Sequence, residues 1–362
     1  RTSDHMERMT VTRIGTTDLE IFPLGLGGNT FGGRSTPEES REVLDAFVAN
    51  GGNFIDTADS YSFWYPGNKG GESETILGDW MHRKGNRHDV VIATKVGGLP
   101  ERKGLAPDVV ARAAEDSLRR LQTDYIDLYY AHYDQEDLPI GEIAQAFDKL
   151  VQEGKVRYVA ISNMRPERIE EWVTLAREDG FAVPVALQPE YNLVARKNYE
   201  EEIAPIAEKY GLAVFPYFGL ASGFLTGKYR SEADLEGRLR GSAVAKYLTP
   251  DGLRVIDALE KVATARGAAM ATVALAWLLA KPTITAPLAS ATSPDQLAEL
   301  MAAPGLQLTA DEVAALDEAM DTLDELSAPL KLRLGPGAPA QRPGCGAVVR
   351  DVPGLIVSRD VR

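Results

Sequence analysis

Short hydrophobic runs alternate along the chain with longer segments of helical periodicity. The runs are rich in β-branched and aromatic residues, a composition typical of buried strands. Eight such runs occur, at residues 22–27, 53–57, 90–95, 125–132, 156–162, 184–190, 212–217 and 283–289. This alternation of strand and helix patterns predicts an α/β protein.

The segments between the runs carry signals for the ends of helices. In residues 37–51, Pro37 suits the first turn of a helix, and Glu38 and Glu39 suit the positive end of its dipole. Gly51 suits the C-terminal stop. Further helical segments are predicted over residues 107–122, 138–154 and 199–211.

Eight strand–helix repeats of this kind predict a (β/α)8 TIM barrel, with residues 9–21 as an N-terminal β-hairpin capping the barrel floor. An open, doubly wound sheet is the rival architecture. Such a sheet normally has a G-x-G-x-x-G turn between its first strand and helix, and GLGGNTFGG at residues 25–33 does not show this motif. The barrel is therefore the preferred prediction.

The pattern also divides the chain. Residues 1–8 are expected to be a vector-derived start, residues 9–328 the barrel, and residues 329–362 a Gly/Pro-rich C-terminal tail. Residues 218–248 are too long for an ordinary barrel connection, which indicates a functional loop.

Composition narrows the classes of function. The chain has 362 residues, of which 44% are hydrophobic and 25% charged, so it can bury a large core. Its 39 Lys and Arg against 53 Asp and Glu give a net charge of −14, which disfavours binding to nucleic acid and to anionic membranes. A single cysteine, Cys345, rules out an internal disulfide and fits a cytoplasmic location. No Cys/His cluster with metal-ligand spacing and no apolar run of about 18 residues is present.

Polar side chains stand at the predicted C-terminal ends of three adjacent strands. Asp56 ends the second strand, Lys95 the third and His132 the fourth, while Tyr61 follows in the loop after Asp56. Each has an ordinary alternative: a helix N-cap for Asp56, a solvated strand end for Lys95, a core histidine for His132 and a packing tyrosine for Tyr61. Because the C-terminal ends of the strands carry the chemistry of TIM barrels, their joint placement favours an active site.

The four groups would form a proton donor. A free phenol has a pKa near 10, and a cation beside it, here Lys95, favours the phenolate. Asp56 would keep Lys95 charged and oriented, and His132 would donate a hydrogen bond to a carbonyl oxygen or help to pass the proton. No activated serine or cysteine accompanies them, and no second carboxylate is set up for glycosidic cleavage.

Over roughly residues 9–325, the chain resembles the aldo-keto reductase superfamily. The motifs that carry the resemblance are NFIDTADSY, GGESETILGDWM, VVIATKVGG, DYIDLYYAHYDQ, GKVRYVAISNM, LQPEYNLVAR, GLAVFPYFGLASGFLTGKY and TAPLASATSPDQL. The resemblance implies a barrel that transfers a hydride between a nicotinamide coenzyme and an aldehyde or ketone. It also implies that Asp56, Tyr61, Lys95 and His132 are the catalytic tetrad.

The same resemblance implies a coenzyme site. Ser162, Asn163 and Gln188 would bind the nicotinamide carboxamide and Tyr217 would stack on its ring, while Lys228 would supply positive charge to the pyrophosphate loop. The full predicted set is Asn29, Thr30, Asp56, Ser162, Asn163, Gln188, Tyr217, Phe218, Leu220, Ser222, Gly223, Leu225, Gly227, Lys228, Ser290, Thr292 and Gln296.

The choice between NADP and NAD depends on the residues expected near the adenosine. Many relatives have Arg or Lys for the adenosine 2′-phosphate where this chain has Thr292 and Ser293, and Leu300 replaces an asparagine often found near the adenine. A helix that begins near Pro294 could present backbone amides to the phosphate. We expect NADP first, with NAD as the alternative.

The predicted substrate pocket is aromatic. Its residues would be Phe31, Phe63, Trp64, Tyr133 and Met164, which favour a bulky, weakly polar carbonyl compound.

Two other functions are weighed against a reductase. The first is a cofactor-sensing regulatory subunit of the same fold, with slow turnover. The second, an aldolase that forms a Schiff base at Lys95, is disfavoured because Asp56 should keep that lysine charged. A homo-oligomer is compatible with the sequence.

Overall fold

The computed structural model describes residues 11–238 and 241–319, and parallel strands form its centre. Two short strands, β1 (Thr12–Arg13) and β2 (Glu20–Ile21), pair as an antiparallel hairpin. The parallel strands are β3 (Gly25–Gly27), β4 (Phe54–Asp56), β5 (Val91–Val96), β6 (Ile126–Ala131), β7 (Val156–Ser162), β8 (Ala186–Gln188), β9 (Ala213–Val214) and β10 (Leu288–Ala289).

Helices follow the strands along the chain and cover the outside of the sheet. They are α1 (Pro37–Ala49), α2 (Glu72–Lys84), α3 (Pro107–Leu121), α4 (Ile140–Gln152), α5 (Pro166–Asp179), α6 (Ala204–Tyr210), α7 (Gly241–Ala245), α8 (Pro250–Arg266), α9 (Met270–Leu279), α10 (Pro294–Met301) and α11 (Ala310–Glu318). The predicted signals at α1 are present, since Thr36 and Glu39 form a capping box and Pro37 occupies the first turn.

The strands pair in the order β10, β3, β4, β5, β6, β7, β8, β9, all in parallel. Backbone hydrogen bonds also join the two ends of this series, because the amide of Leu288 donates to the carbonyl of Pro216 at 2.9 Å and that of Thr285 to Val214 at 3.0 Å. The eight strands therefore close into a ring, and the predicted (β/α)8 fold is confirmed.

The hairpin fills the lower end of the barrel. Ile14, Leu19 and Ile21 are buried in one cluster with inward-facing strand residues such as Phe54 and Phe215. The larger hydrophobic cluster lies between the strands and the surrounding helices. The hairpin thus excludes water from the N-terminal end of the barrel, and the opposite end remains for a site.

Three predicted elements differ in detail from the structure. The strands predicted at 212–217 and 283–289 are reduced to two residues each, since Pro216 and Pro287 lack the amide hydrogen that a ladder needs. The helix predicted at 199–211 begins with a π-helical turn, Asn198–Ile203, and becomes α-helical at Ala204. Pro205 has no amide hydrogen for the α-helical bond to residue 201, which accounts for the wider turn.

The predicted functional loop at 218–248 contains only short helical turns, Ala221–Thr226, Glu232–Leu235 and α7, in the part that the structure describes. The predictions for residues 1–8, for the tail at 329–362 and for Cys345 lie outside the described residues.

Within the described ranges, no single helix combines the length and apolar character of a membrane span. Helices α8 and α9, bent by 97° relative to each other, satisfy those criteria as a pair by length and composition alone.

Candidate active site

The four predicted catalytic residues meet at the C-terminal end of the barrel. Asp56 is the last residue of β4, Lys95 lies near the end of β5, and His132 directly follows β6. Tyr61 lies in the loop after β4, where the backbone turns back so that its amide donates to the carbonyl of Ala58. Adjacent parallel strands thus bring together residues that are far apart in the sequence.

Lys95 is the centre of this group. Its side chain is fully buried, and Nζ donates to Asp56 Oδ2 at 2.7 Å, to the carbonyl of Thr57 at 2.8 Å and to the hydroxyl of Tyr61 at 2.9 Å. The three donors of the ammonium therefore have three acceptors, which is what a buried cation requires. The Tyr61 hydroxyl also donates to Asp56 Oδ2 at 3.1 Å.

The charge of Lys95 is set by two opposing effects. Burial, the larger effect, lowers the pKa of Lys95 below its ordinary value, and the carboxylate of Asp56 opposes this shift. Gln188 steadies the carboxylate, since its Nε2 donates to Asp56 Oδ1 at 2.9 Å. The ion pair is thus held from both sides of Asp56.

His132 lies against the ring of Tyr61 as a neutral imidazole. The two ring centroids are 6.1 Å apart at an interplanar angle of 70°, and Tyr133 stacks on the imidazole at 4.4 Å. Burial, followed by the nearby Lys95 charge, lowers the pKa of His132 well below its usual range. Its Nδ1 has no hydrogen-bond partner among the described residues. A neutral imidazole here can present one N–H to a substrate oxygen.

A hydrogen-bonded group of polar residues follows β7, β8 and β9. Asn163 has a left-handed backbone with φ of 48°, and its Nδ2 donates to the carbonyl of His132 at 2.9 Å. Tyr217 donates from its hydroxyl to Asn163 Oδ1 at 2.8 Å, and Ser162 Oγ donates to the carbonyl of Gln188 at 2.8 Å. These predicted nicotinamide residues are therefore in one network with the tetrad.

The predicted pyrophosphate loop has an unusual backbone. Phe218, Ala221 and Ser222 are non-glycine residues with positive φ, and Gly223 and Gly227 share that conformation. Nζ of Lys228 lies 3.5 Å from the position that a Cβ on Gly223 would occupy. The amides of Ala221, Gly223 and Gly227 donate to carbonyls within the loop, so its turns are closed by its own backbone. The ammonium of Lys228 brings a positive charge to this loop. Leu220 and Leu225 lie in the same loop, where Leu225 is fully buried.

The remaining predicted coenzyme residues lie at the ends of β3 and β10. Ser290 Oγ donates to Asn29 Oδ1, and Thr30 Oγ1 approaches the carbonyl of Ala291 at 3.5 Å. Thr292 donates from its amide and hydroxyl to Gln296 Oε1 at 3.1 and 3.0 Å. Ser293 is the N-cap of α10, and Leu300 is buried in that helix.

The predicted pocket residues fall into two groups. Phe63, Trp64 and Tyr133 are half-buried, and the ring of Trp64 lies 6.1 Å from that of Tyr61. Phe31 is fully buried and Met164 is 6% exposed, and both belong to the hydrophobic core. The part of the pocket wall that solvent reaches is therefore built by the first three.

Three residues that the sequence analysis did not single out lie beside the tetrad. Thr57 supplies its carbonyl to Lys95, Asp59 places a buried carboxyl behind the tetrad, and Gly98 brings the loop after β5 close to His132. The acidic residue two positions before Tyr61 was visible in the sequence. The sequence does not show that Asp59 is buried, because residues of other elements enclose it.

Comparison with known proteins gives a consistent result. A family model described as "Aldo/keto reductase family" matches residues 23–321. A probable voltage-gated potassium channel subunit beta of Oryza sativa subsp. japonica is 32% identical over 305 residues, covering 82% of this chain and 91% of the relative. The protein tas of Escherichia coli is 31% identical over 333 residues, covering 84% and 96%. Norsolorinic acid reductase B of Aspergillus parasiticus is 32% identical over 324 residues, covering 84% and 82%.

Proposed function

The chain belongs to the aldo/keto reductase family, and we propose that it is an NAD(P)H-dependent oxidoreductase that reduces an aldehyde or ketone to the alcohol. One observation carries the proposal: the Tyr61 hydroxyl contacts a fully buried Lys95–Asp56 ion pair beside a neutral imidazole. Such a group can give a proton to an oxygen on which negative charge develops.

The residues of the tetrad have distinct roles in this reaction. Tyr61 donates its proton to the carbonyl oxygen, and Lys95 stabilises the phenolate that remains. Asp56 keeps Lys95 charged in its buried position, while His132 donates a hydrogen bond that orients the carbonyl. The bound nicotinamide supplies the hydride. In the reverse oxidation, the Tyr61 phenolate accepts the proton of the alcohol.

The residues around the tetrad fit a dinucleotide. Ser162, Asn163 and Gln188 offer amide and hydroxyl groups suited to the carboxamide, and Tyr217 offers a ring for the nicotinamide to stack on. The ammonium of Lys228 beside the predicted pyrophosphate loop supports a pyrophosphate site, because a positive charge favours an anion.

NADP is the proposed coenzyme, with NAD as the alternative. Thr292 and Ser293 give hydroxyl groups at the predicted 2′-phosphate position, and Asp295 gives an amide in the first turn of α10, where Pro294 has no amide hydrogen and Gln296 donates to Ser293. Neither residue provides a positive charge to offset the phosphate, so the preference over NAD is expected to be modest.

The proposed substrate is a bulky, weakly polar carbonyl compound. The half-buried rings of Phe63, Trp64 and Tyr133 beside Tyr61 support this proposal. The cytoplasmic location and the state of oligomerisation remain predictions of the sequence.

The test is coenzyme oxidation with a panel of aromatic and aliphatic aldehydes and ketones, measured with NADPH and with NADH. We expect steady turnover, faster with aromatic than with short aliphatic substrates, and a lower KM for NADPH. The absence of turnover with every carbonyl substrate would contradict the enzyme assignment.

A cofactor-sensing subunit is the second candidate, supported by the similarity to the rice protein named as a channel subunit. In a sensor, the coenzyme would bind tightly and be oxidised very slowly. Coenzyme affinity from fluorescence titration, together with single-turnover rates, separates the two candidates.

A further inference from the structure

A second buried group of titratable residues lies behind the tetrad. The side chain of Asp59 is enclosed, the residue being only 1% exposed, and neither carboxyl oxygen has a hydrogen-bond partner among the residues that the structure describes. Its backbone amide donates to the carbonyl of Lys95 at 3.2 Å, so Asp59 is attached to the strand end that carries the catalytic lysine. A buried carboxyl without a partner is costly and calls for an explanation.

The surroundings of Asp59 are charged on several sides. Glu74 of α2 is fully buried, and it accepts hydrogen bonds from Thr94, the neighbour of Lys95 in β5, and from Arg120 of α3 at 2.6 Å. Arg102, in the turn before α3, adds a second cation that is paired with Asp116.

Tyr129 of β6 also belongs to this group of buried residues. Its hydroxyl has no hydrogen-bond partner within the described ranges. The groups that interact electrostatically with Asp59 are Lys95, Glu74, Arg102, Arg120 and Tyr129, from β5, α2, the turn before α3, α3 and β6.

These surroundings make Asp59 change its charge in the working range of pH. Burial, and then the negative charge of Glu74, raise the pKa of Asp59 to about 8, while Arg120 and Arg102 act in the opposite direction. The charge of Asp59 in turn favours the charged form of Lys95. Asp59 is therefore neutral at pH 7 and gains its charge as the pH rises through about 8.

We propose that Asp59 is a positioning residue that acts through Lys95: the negative charge of its buried carboxyl, held at the strand end that carries Lys95, extends toward alkaline pH the range over which Lys95 stays charged beside Tyr61. Asp59 contacts neither substrate nor coenzyme in this role. Its negative charge opposes proton loss from Lys95, so removing it moves the alkaline limit of the site to lower pH.

The direct test follows the titration of Lys95 itself. The full-length protein is labelled with carbon-13 at the lysine ε-carbon, and the Lys95 signal is assigned by its loss in Lys95→Met. In the wild type we expect a first inflection near pH 8, from Asp59, in addition to the main titration of Lys95. In Asp59→Asn this inflection disappears, and the main titration moves to lower pH by about one unit, the low end of the effect of a nearby opposite charge.

Two further variants complete the test. Asp59→Ser also removes the charge and is smaller, so it serves if the amide of Asp59→Asn disturbs the packing. Asp79→Asn is the control, because Asp79 lies in α2 with its carboxylate bonded to Gln122 at 2.7 Å and is not among the groups that act on Lys95. Its Lys95 titration should equal that of the wild type. A wild-type titration without the first inflection, or unchanged titrations in both Asp59 variants, overturns the inference.

The kinetic consequence rests on the proposed function. The alkaline limb of the kcat/KM profile for carbonyl reduction should move to lower pH in Asp59→Asn and stay in place in Asp79→Asn. If no carbonyl substrate is turned over while the Lys95 titration shifts as described, the proposed function fails and the role of Asp59 stands. If turnover is rapid and the Lys95 titration does not shift, the proposed function stands and the role of Asp59 fails.

Discussion

The hydroxyl of Tyr61 lies 2.9 Å from Nζ of Lys95, although the two residues are 34 positions apart in the sequence. The contact exists because β4 and β5 are adjacent parallel strands, and Asp56, the last residue of β4, pairs with Ala93, two residues before Lys95. A cation this close to a buried phenol stabilises the phenolate far more than it would in water. The proton-donating ability of Tyr61 therefore depends on the barrel geometry.

The first prediction concerns this phenol. Tyr61→Phe removes the proton donor and keeps the ring, so we expect kcat for carbonyl reduction to fall between about 100-fold and 10,000-fold. Coenzyme affinity should change little, because the hydroxyl is not among the proposed coenzyme contacts. Steady-state kinetics and a fluorescence titration with NADPH measure the two effects.

Tyr65→Phe is the matched control for that variant. Tyr65 lies four residues away in the same loop, half-buried, with its ring 6.1 Å from Trp64. Its hydroxyl has no place in the proposed reaction, and kcat should stay near that of the wild type. Equal kcat values for Tyr61→Phe and the wild type would remove Tyr61 from the mechanism.

The second prediction concerns the charge of His132. Since burial and the Lys95 charge hold the pKa of His132 well below 6.5, the imidazole should be neutral throughout the range from pH 6.5 upward. Histidine ring signals followed by NMR between pH 5 and 8 test this, with His132→Ala assigning the resonance. A His132 signal with a midpoint at or above pH 6.5 would mean that the ring is solvated or faces an acidic partner.

Much of this site follows from the order of residues. Asp56, Lys95 and His132 each end a hydrophobic run, and the period of the strand–helix repeats predicts that adjacent runs pair in parallel. Their proximity needs only that adjacent strands end within a few residues of one another, as they do here: Asp56 pairs with Ala93 and Lys95 with Tyr130. The tetrad is thus predictable as a group, while its distances are not.

Other features depend on packing that the sequence does not display. Phe31, one of the predicted pocket residues, follows the end of β3, and its fully buried ring packs in the hydrophobic core. The state of Asp59 depends on Glu74 and Arg120, which belong to two different helices. Contacts between helices are set by how their side chains interlock, and a hydrophobic pattern does not contain that information.

The third prediction concerns Gly98. A Cβ added at this position would lie 2.8 Å from Nδ1 of His132 and 2.9 Å from Oγ of Ser60. The imidazole has little room to yield, because Tyr133 stacks on one side and the edge of Tyr61 lies on another. Gly98→Ala should therefore displace His132 and lower kcat/KM between about 10-fold and 100-fold, as a small misplacement of a catalytic group does.

Gly141→Ala is the control for added volume. A Cβ there lies 3.6 Å from Cδ1 of Leu175, an ordinary contact, and Gly141 is within α4. Activity should be unchanged, and the free energy of unfolding should rise by up to about 1 kcal/mol, because alanine favours the helix more than glycine does. If Gly98→Ala keeps wild-type kcat/KM, the close approach of this loop has no part in placing His132.

The fourth prediction links Asp59 to stability. Its pKa is raised to about 8 in the folded protein, whereas an unfolded chain has about 3.9. Between these values the folded state binds more protons than the unfolded state, so this group makes the free energy of unfolding fall as the pH rises from about 4 to 8. The favourable contribution of Asp59 to the free energy of unfolding is complete below its pKa in the unfolded chain. It is lost as the pH rises through its pKa in the folded protein.

Asp59→Asn removes this titration, so its stability relative to the wild type should increase with pH up to about 8 and then level off. Urea unfolding at intervals between pH 5 and 9 measures the difference, whose slope has an upper limit of about 1.4 kcal/mol per pH unit for one proton. Asp79→Asn should instead run nearly parallel to the wild type, because Asp79 is not in the buried group. Parallel curves for Asp59→Asn would show that water or an ion reaches the Asp59 carboxyl and keeps it ionised at neutral pH.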